Sequence, residues 1–426
     1  MEGYGDYAAR APRLHGPEGL SRASVGPRNA ARTAVALALV LVAAIAAPVA
    51  NAGLRAKLDR ALDTPYVSQS LTGAVAVDLK DGSMVFAQNA SLSLRPASNE
   101  KLAVALAALD RLGPAFRIET QVLGKGTLVQ GVWQGRLFLK GFGDPSLSNY
   151  DLARLAAKVR DRGIRRVTGR IVGDESYYDS QRTVRGWKPW YYKEESPPLS
   201  ALIVNRARLA KGISDNPAAA AARAFRRALI EAGIRVPSHS TTGVANDAVV
   251  LAERPSVELD ELVHRMNIVS DNFYAEMLLK QLGARVRGEG TSAAGARVVV
   301  RELDQRGVPL AGVKIVDGSG LSRYDRLTAR ALAALLISAW SDPIIKNAFV
   351  TSLPVAGVSG TLEDRMTTWP AYGRVRAKTG TTNVASALSG YARTEYVFAV
   401  VQNGFPVSVY YSRRAQDRFA TVLAGA

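Results

Sequence analysis

The chain has no cysteine among its 426 residues and only three histidines, His15, His239 and His264. Disulfides and metal sites built on thiolates are therefore excluded, and a metal site built on clustered imidazoles is not expected. His264, in the stretch LVHRM, is the one histidine within a helical core segment. A Ser-His-Asp triad would depend on it alone, and no Gly-x-Ser-x-Gly elbow is present to serve it. Phosphate loops are missing as well. The glycines of GFGD (141–144) and DGSGLSR (317–323) lack the spacing and the following Lys-Ser/Thr that such loops need. Both read as turns, the second shaping a cleft rim.

Acidic residues are also few: 37 against 55 Lys and Arg, a formal net charge of +18. No dense basic run with interleaved aromatics occurs, so nucleic acid is not an expected partner. For a protein outside the cytoplasm the charge would favour anionic envelope polymers or lipid headgroups. The rest of the composition, 47% apolar and 22% charged, is that of a globular protein. Its length allows two domains, or one domain with a large insert.

Residues 1–32 carry Arg10, Arg13, Arg22, Arg28 and Arg32, followed by an uncharged stretch, TAVALALVLVAAIAAPVANA (33–52). Its apolar core spans 14 residues (34–47), Pro48 follows, and Ala50-Asn51-Ala52 fits a small-x-small cleavage site. The segment 1–52 reads as a secretory signal removed after Ala52. The competing reading is an uncleaved membrane anchor, since the uncharged stretch is just long enough to span. Without 1–52 the chain keeps a net charge of +16.

GAVAVDLKDGSMVFAQN (73–89) alternates apolar and polar residues around Lys80-Asp81-Gly82, a β-hairpin pattern. A strongly apolar helix runs from Ser98 to a glycine stop at Gly113. From about 116 the texture changes to short strands and glycine turns, then to helices at 151–163 and 216–233. Helical patterns return at 256–267, 272–283, 294–307 and 328–341, and strands close the chain. Strands at both chain ends with helices between them fit an antiparallel sheet flanked by helices, an α+β pattern. The expected division is 53–113 and 251–426 for the main domain, interrupted by an insert over 114–250.

Ser98 and Lys101 stand three residues apart at the start of the apolar helix, so their side chains share one face. Burial and the helix dipole both disfavour an ammonium there and lower the lysine pKa. A neutral amine can take the serine proton, making a nucleophile without histidine. Taken alone the pair equally describes a capping serine beside a snorkelling lysine. Two more motifs follow: Ser270-Asp271-Asn272 at a break before a helix, and Lys378-Thr379-Gly380 on a C-terminal strand. S-x-x-K, S-D-N and K-T-G in this order are the set of penicillin-binding proteins and class A β-lactamases.

RPASNEKL, GFGDPSL, SALIVNR, VDGSGLSR, LPVAGVSGTL and AKTGTT extend the likeness. From about residue 65 to its end the chain resembles the low-molecular-mass penicillin-binding proteins that act as D-alanyl-D-alanine carboxypeptidases and endopeptidases. The resemblance implies a penicillin-binding/serine β-lactamase-like domain with a smaller inserted α/β domain. The first and second motifs are 172 residues apart. That leaves no room for the further module of the larger members, so this is a one-insert form. The resemblance also implies roles. Ser98 attacks a peptide carbonyl to form an acyl-enzyme, Lys101 takes its proton, Ser270 relays a proton to the leaving amine, and Asn272 holds a substrate amide. Lys378 and Thr379 hold the terminal carboxylate. Gly380 leaves the strand edge open, and the N–H groups of Ser98 and Thr381 form an oxyanion hole. Stem peptides of peptidoglycan would be the substrates and β-lactams the inhibitors; no cofactor or metal is implied. A β-lactamase or esterase on the same fold, and a non-catalytic wall-binding protein, are the alternatives.

Overall fold

The computed structural model describes residues 52–426, so the leader lies outside the described residues apart from Ala52. Helix α1 (Ala52–Leu62) precedes the expected hairpin, β1 (Thr72–Asp78) and β2 (Met84–Gln88). Its turn is fixed by Asp78 and Asp81 carboxylates, which accept the N–H groups of Lys80 and Ser83. A 3₁₀ turn (Ala97–Asn99) then leads into α2 (Glu100–Leu112). The α-helix thus begins two residues after Ser98, and ends at Gly113 (φ 88°) as its pattern predicts.

The chain next crosses into a second sheet through β3 (Glu119–Val129) and β4 (Val132–Gly141). Helix α3 (Asn149–Asp161) follows, opened by a capping box of Ser148 and Asp151. Then come β5 (Arg166–Val167), β6 (Ile171–Asp174), the small hairpin β7 (Arg208–Leu209) and β8 (Gly212–Ile213), and α4 (Pro217–Glu231). Strands β9 (Ser240–Thr242) and β10 (Val249–Pro255) complete it in the order β10-β3-β4-β6-β9, with β5 also beside β4. Leu152, Leu155, Val159, Phe225 and Leu229 of α3 and α4 pack with Val122, Leu137 and Ile171 into a core of its own. Because β10 pairs with β3 as far as Pro255, this sheet runs five residues beyond the expected boundary at 250. The outgoing and returning strands are laced together, Ser256 N to Ile118 O at 2.8 Å and Leu259 N to Phe116 O at 2.8 Å.

Helices α5 (Leu259–Ile268), α6 (Asn272–Arg287), α7 (Ser292–Gln305), α8 (Ala329–Ser341) and α9 (Lys346–Thr351) follow. Strands β11 (Val375–Thr381), β12 (Ala385–Ala392) and β13 (Tyr396–Asn403) lead to the last helix, α10 (Val409–Ala424). The first sheet has the order β11-β12-β13-β1-β2, so the two ends of the chain meet in it. Its strands alternate in the two-residue period. Ala74, Ala76, Phe398 and Val400 face Leu58, Leu62, Phe419 and Leu423 of α1 and α10. Val75, Val77, Ala399 and Val401 face the other way, into the core around α2, α6 and α8. Helix α2 lies in that core with Glu100 to Asp110 all buried, which places Lys101 deep inside the protein.

Candidate active site

Ser98 sits on the 3₁₀ turn, half-buried, at the junction of the first sheet and the helical core. The residue before it, Ala97, has a left-handed φ of 47°, uncommon for alanine and a place where strain accompanies function. The turn is pressed from two sides by glycines. A Cβ on Gly320 would stand 1.8 Å from Ala97 O, and one on Gly380 would stand 2.9 Å from Pro96 O and 3.0 Å from Ser98 N. Gly380 therefore serves first to let β11 approach the nucleophile turn, a closer need than keeping the strand edge open. Asn99 adds a tie, its Nδ2 donating to Lys378 O at 3.0 Å.

The Lys101 ammonium lies 2.8 Å from Ser98 Oγ, 2.8 Å from Asn272 Oδ1 and 2.9 Å from Ser319 O. Two of these partners can only accept. The Asn272 amide is turned this way because its Nδ2 donates to Glu195 O and Glu195 Oε2, both at 3.2 Å. A neutral Lys101 keeps its two N–H donors on Asn272 and Ser319 and leaves its lone pair for the Ser98 hydroxyl. Burial brings the Lys101 pKa down to about 8, against the opposing pull of Asp317 and Glu276. The loop carrying Ser319 is held rigidly. Glu276 Oε1 accepts Gly318 N at 3.0 Å and Ser319 N at 2.9 Å. Asp317 accepts the Gly320 and Ser322 N–H groups and the Trp187 indole N–H, each at 2.7–2.8 Å. Burial, then the neighbouring Asp317, pushes the Glu276 carboxyl up to about 8.

Ser270, with a left-handed φ of 59°, precedes α6, and Asp271 caps that helix by accepting Tyr274 N. Lys378, on the edge strand β11, points its ammonium at Ser270 Oγ (2.8 Å) and at Thr379 O (2.9 Å). It is wholly buried, and burial, followed by repulsion from Lys101, holds its pKa well below the ordinary lysine range. Its ammonium is thus directed at Ser270. Thr379 Oγ1 pairs with Thr361 Oγ1 at 2.7 Å, and Thr381 is exposed at the strand end.

The structure brings Ser98, Ser270, Asn272, Thr379 and Thr381 to one cleft of about 520 Å³, with Lys101 and Lys378 in its floor. The same cleft is lined by Lys188, Trp190, Tyr191 and Glu195 from the segment between β6 and β7, and by Arg365 and Arg413. These six were not singled out from the sequence: none belongs to one of the three motifs, and all lie far from Ser98 in the chain. His264 is exposed, its Nδ1 3.2 Å from Thr351 O, and takes no part in the cleft. Among the described residues no cluster of His, Asp or Glu has the geometry to hold a metal ion. A serine whose proton has a direct path to a buried, partly neutralised amine can acylate.

The profile of the D-Ala-D-Ala carboxypeptidase 3 (S13) family matches residues 54–215 and 208–425. A D-alanyl-D-alanine carboxypeptidase of Actinomadura is 31% identical over 96% of this chain and 93% of its own length. A carboxypeptidase of Mycolicibacterium smegmatis is 30% identical over 87% and 84%. Among solved structures, penicillin-binding protein 4 of Haemophilus influenzae superposes with a TM-score of 0.74, covering 86% of this chain and 97% of its own, at 21% identity. With the matched profile running through the Ser98, Ser270 and Lys378 motifs alike, the chain belongs to the D-Ala-D-Ala carboxypeptidase 3 (S13) family.

Proposed function

We infer that the chain is a serine-type D-alanyl-D-alanine carboxypeptidase and endopeptidase, acting on peptidoglycan stem peptides through an acyl-enzyme and inhibited by β-lactams. The observation that carries this reading is the aimed lone pair. Lys101 has two of its donors committed to Asn272 Oδ1 and Ser319 O, and Ser98 Oγ alone remains to receive the third position. Ser98 Oγ attacks the carbonyl carbon of the scissile bond while its proton passes to Lys101. The N–H groups of Ser98 and Thr381 stabilise the oxyanion, a donor pair of a kind whose members are each worth roughly 3 kcal/mol. Ser270, supported by Lys378, relays to the departing amine the proton that Lys101 took from Ser98, and Asn272 holds the substrate amide. Water then opens the ester, giving one proton to the neutral Lys101, which passes it to the departing Ser98 oxygen.

Intact labelling of Ser98 tests this. Mass spectrometry after incubation with a penicillin should find a lasting adduct on the peptide that contains Ser98, absent in Ser98→Ala. Rapid turnover without an adduct would favour a β-lactamase, and no reaction a binding protein.

A substrate in the cell wall requires export, which the basic leader and apolar stretch of 1–52 support. The +16 charge of the remainder suits a protein working among anionic envelope polymers. The second sheet with its own core is an inserted module, spanning 114–255 once β10 is included.

A further inference from the structure

We propose that Arg413, with the Thr381 hydroxyl, is the anchor for the free C-terminal carboxylate of the substrate. The proposal rests on the carboxypeptidase reading above. A peptide end that enters the cleft as an anion must meet a positive group, since an unpaired carboxylate taken from water is costly. Five cations line or underlie the cleft, and Lys188 among them donates to Asn383 Oδ1 at 3.0 Å and lies over the Trp190 and Tyr191 rings. Lys101 is committed to Ser98, Asn272 and Ser319. Lys378 is wholly buried and directed at Ser270. Arg365 is tied down by Asp417, with Nη2 to Oδ1 at 2.6 Å and Nε to Oδ1 at 3.0 Å, and by Gln416 Oε1 at 3.3 Å.

Arg413 is the one left over. It rises from the second turn of α10, is exposed, lines the cleft, and among the described residues makes no ion pair. Its polar contact is a long one, Nη2 to Thr381 Oγ1 at 3.4 Å. Thr381 is the last residue of β11, two along from Thr379, so this fork lies at the edge-strand end of the cleft. Arg365 stands close enough to oppose the Arg413 charge, and Asp417, which could have relieved both, is engaged by Arg365. Two guanidinium groups sharing one carboxylate are eased by the arrival of a second anion. Arginine also offers two parallel N–H donors that match a carboxylate, which a lysine cannot.

The test is steady-state kinetics on the full chain with a peptide ending in D-Ala-D-Ala and with the same peptide amidated at its C-terminus. Wild type should prefer the free acid by roughly 10- to 150-fold in kcat/KM, the range of a hydrogen bond to a charged group. Arg413→Gln should lose about that factor on the acid and less than twofold on the amide. Arg413→Lys should fall between, keeping charge without the fork. Arg413 is exposed, so an unchanged melting temperature is expected of both variants. Equal losses on both substrates, or a preference for the acid that survives Arg413→Gln, would overturn the proposal. A wild type that cleaves both peptides equally well has no such anchor, so the proposal falls while the carboxypeptidase reading stands. A wild type that cleaves neither, and leaves Ser98 unlabelled by penicillin, takes both down.

Discussion

The chemistry of Lys101 turns on which of its neighbours can give a proton and which can only receive one. Because folding lowers its pKa to about 8, the neutral fraction grows as pH rises through that value. Acylation by penicillin, followed by stopped flow, should therefore climb from pH 6 to 9 and then level off. A profile flat over that range would remove Lys101 as the base. Lys101→Arg should acylate at least a hundredfold more slowly, because a guanidinium does not deprotonate. Asn272→Asp gives the opposite electrostatic signature. A carboxylate at the Oδ1 position holds the proton on Lys101, so the rising limb should shift to higher pH, readable in the same experiment. The sign for stability is equally fixed. The unfolded chain keeps its lysine proton up to the ordinary value of 10.5, so the Lys101 contribution improves as pH rises from about 8 towards that value.

At the scale of elements, the nucleophile owes its position to a three-residue turn clamped between two glycines. Gly320 has φ 81° and no space for a Cβ, so Gly320→Ala should cost about 1–3 kcal/mol and push the Ser98 turn out of line. Thermal unfolding would report the first effect and the penicillin acylation rate the second, with a loss of more than tenfold. A variant that melts early yet acylates normally would show that the clamp is structural only. This turn also marks where the sequence stops being informative. The hairpin at 73–89, the buried helix and its glycine stop, and the three motifs could all be read directly, because each follows a short period or a fixed spacing. The left-handed Ala97 could not, since alanine carries no signal for positive φ. Nor could Glu195, which orients the Asn272 amide from 77 residues away. The contact of Lys378 with Ser270 was equally hidden. A strand pattern tells which face a residue occupies, while its partner across the cleft is set by tertiary packing.

For the molecule as a whole, the inserted sheet and the catalytic cleft are coupled by the segment between β6 and β7. Tyr178, Val184, Leu199 and Ile203 of that segment pack into the main core, although β6 at its start belongs to the other sheet. Phe225 is fully buried in the second core, so Phe225→Ala should cost about 3–5 kcal/mol. Penicillin labelling of Ser98 and the far-UV signal should therefore be lost together on heating. Labelling that outlasts the unfolding of the inserted sheet would show the two to be independent. The order of the first sheet has a consequence in time as well as in space. Thr72 of β1 pairs with Gln402 of β13, some 330 residues later. At a synthesis rate of about 5–20 residues per second, β1 waits on the order of tens of seconds with an unpaired edge. Until β13 arrives, the nascent chain is enzymatically silent. Its nucleophile emerges early, whereas the strand that bears Lys378 and the strand that closes the sheet emerge long after it. Penicillin added during cell-free synthesis should label only chains whose β13, ending at Asn403, has left the ribosome, so that closure of the sheet switches the enzyme on.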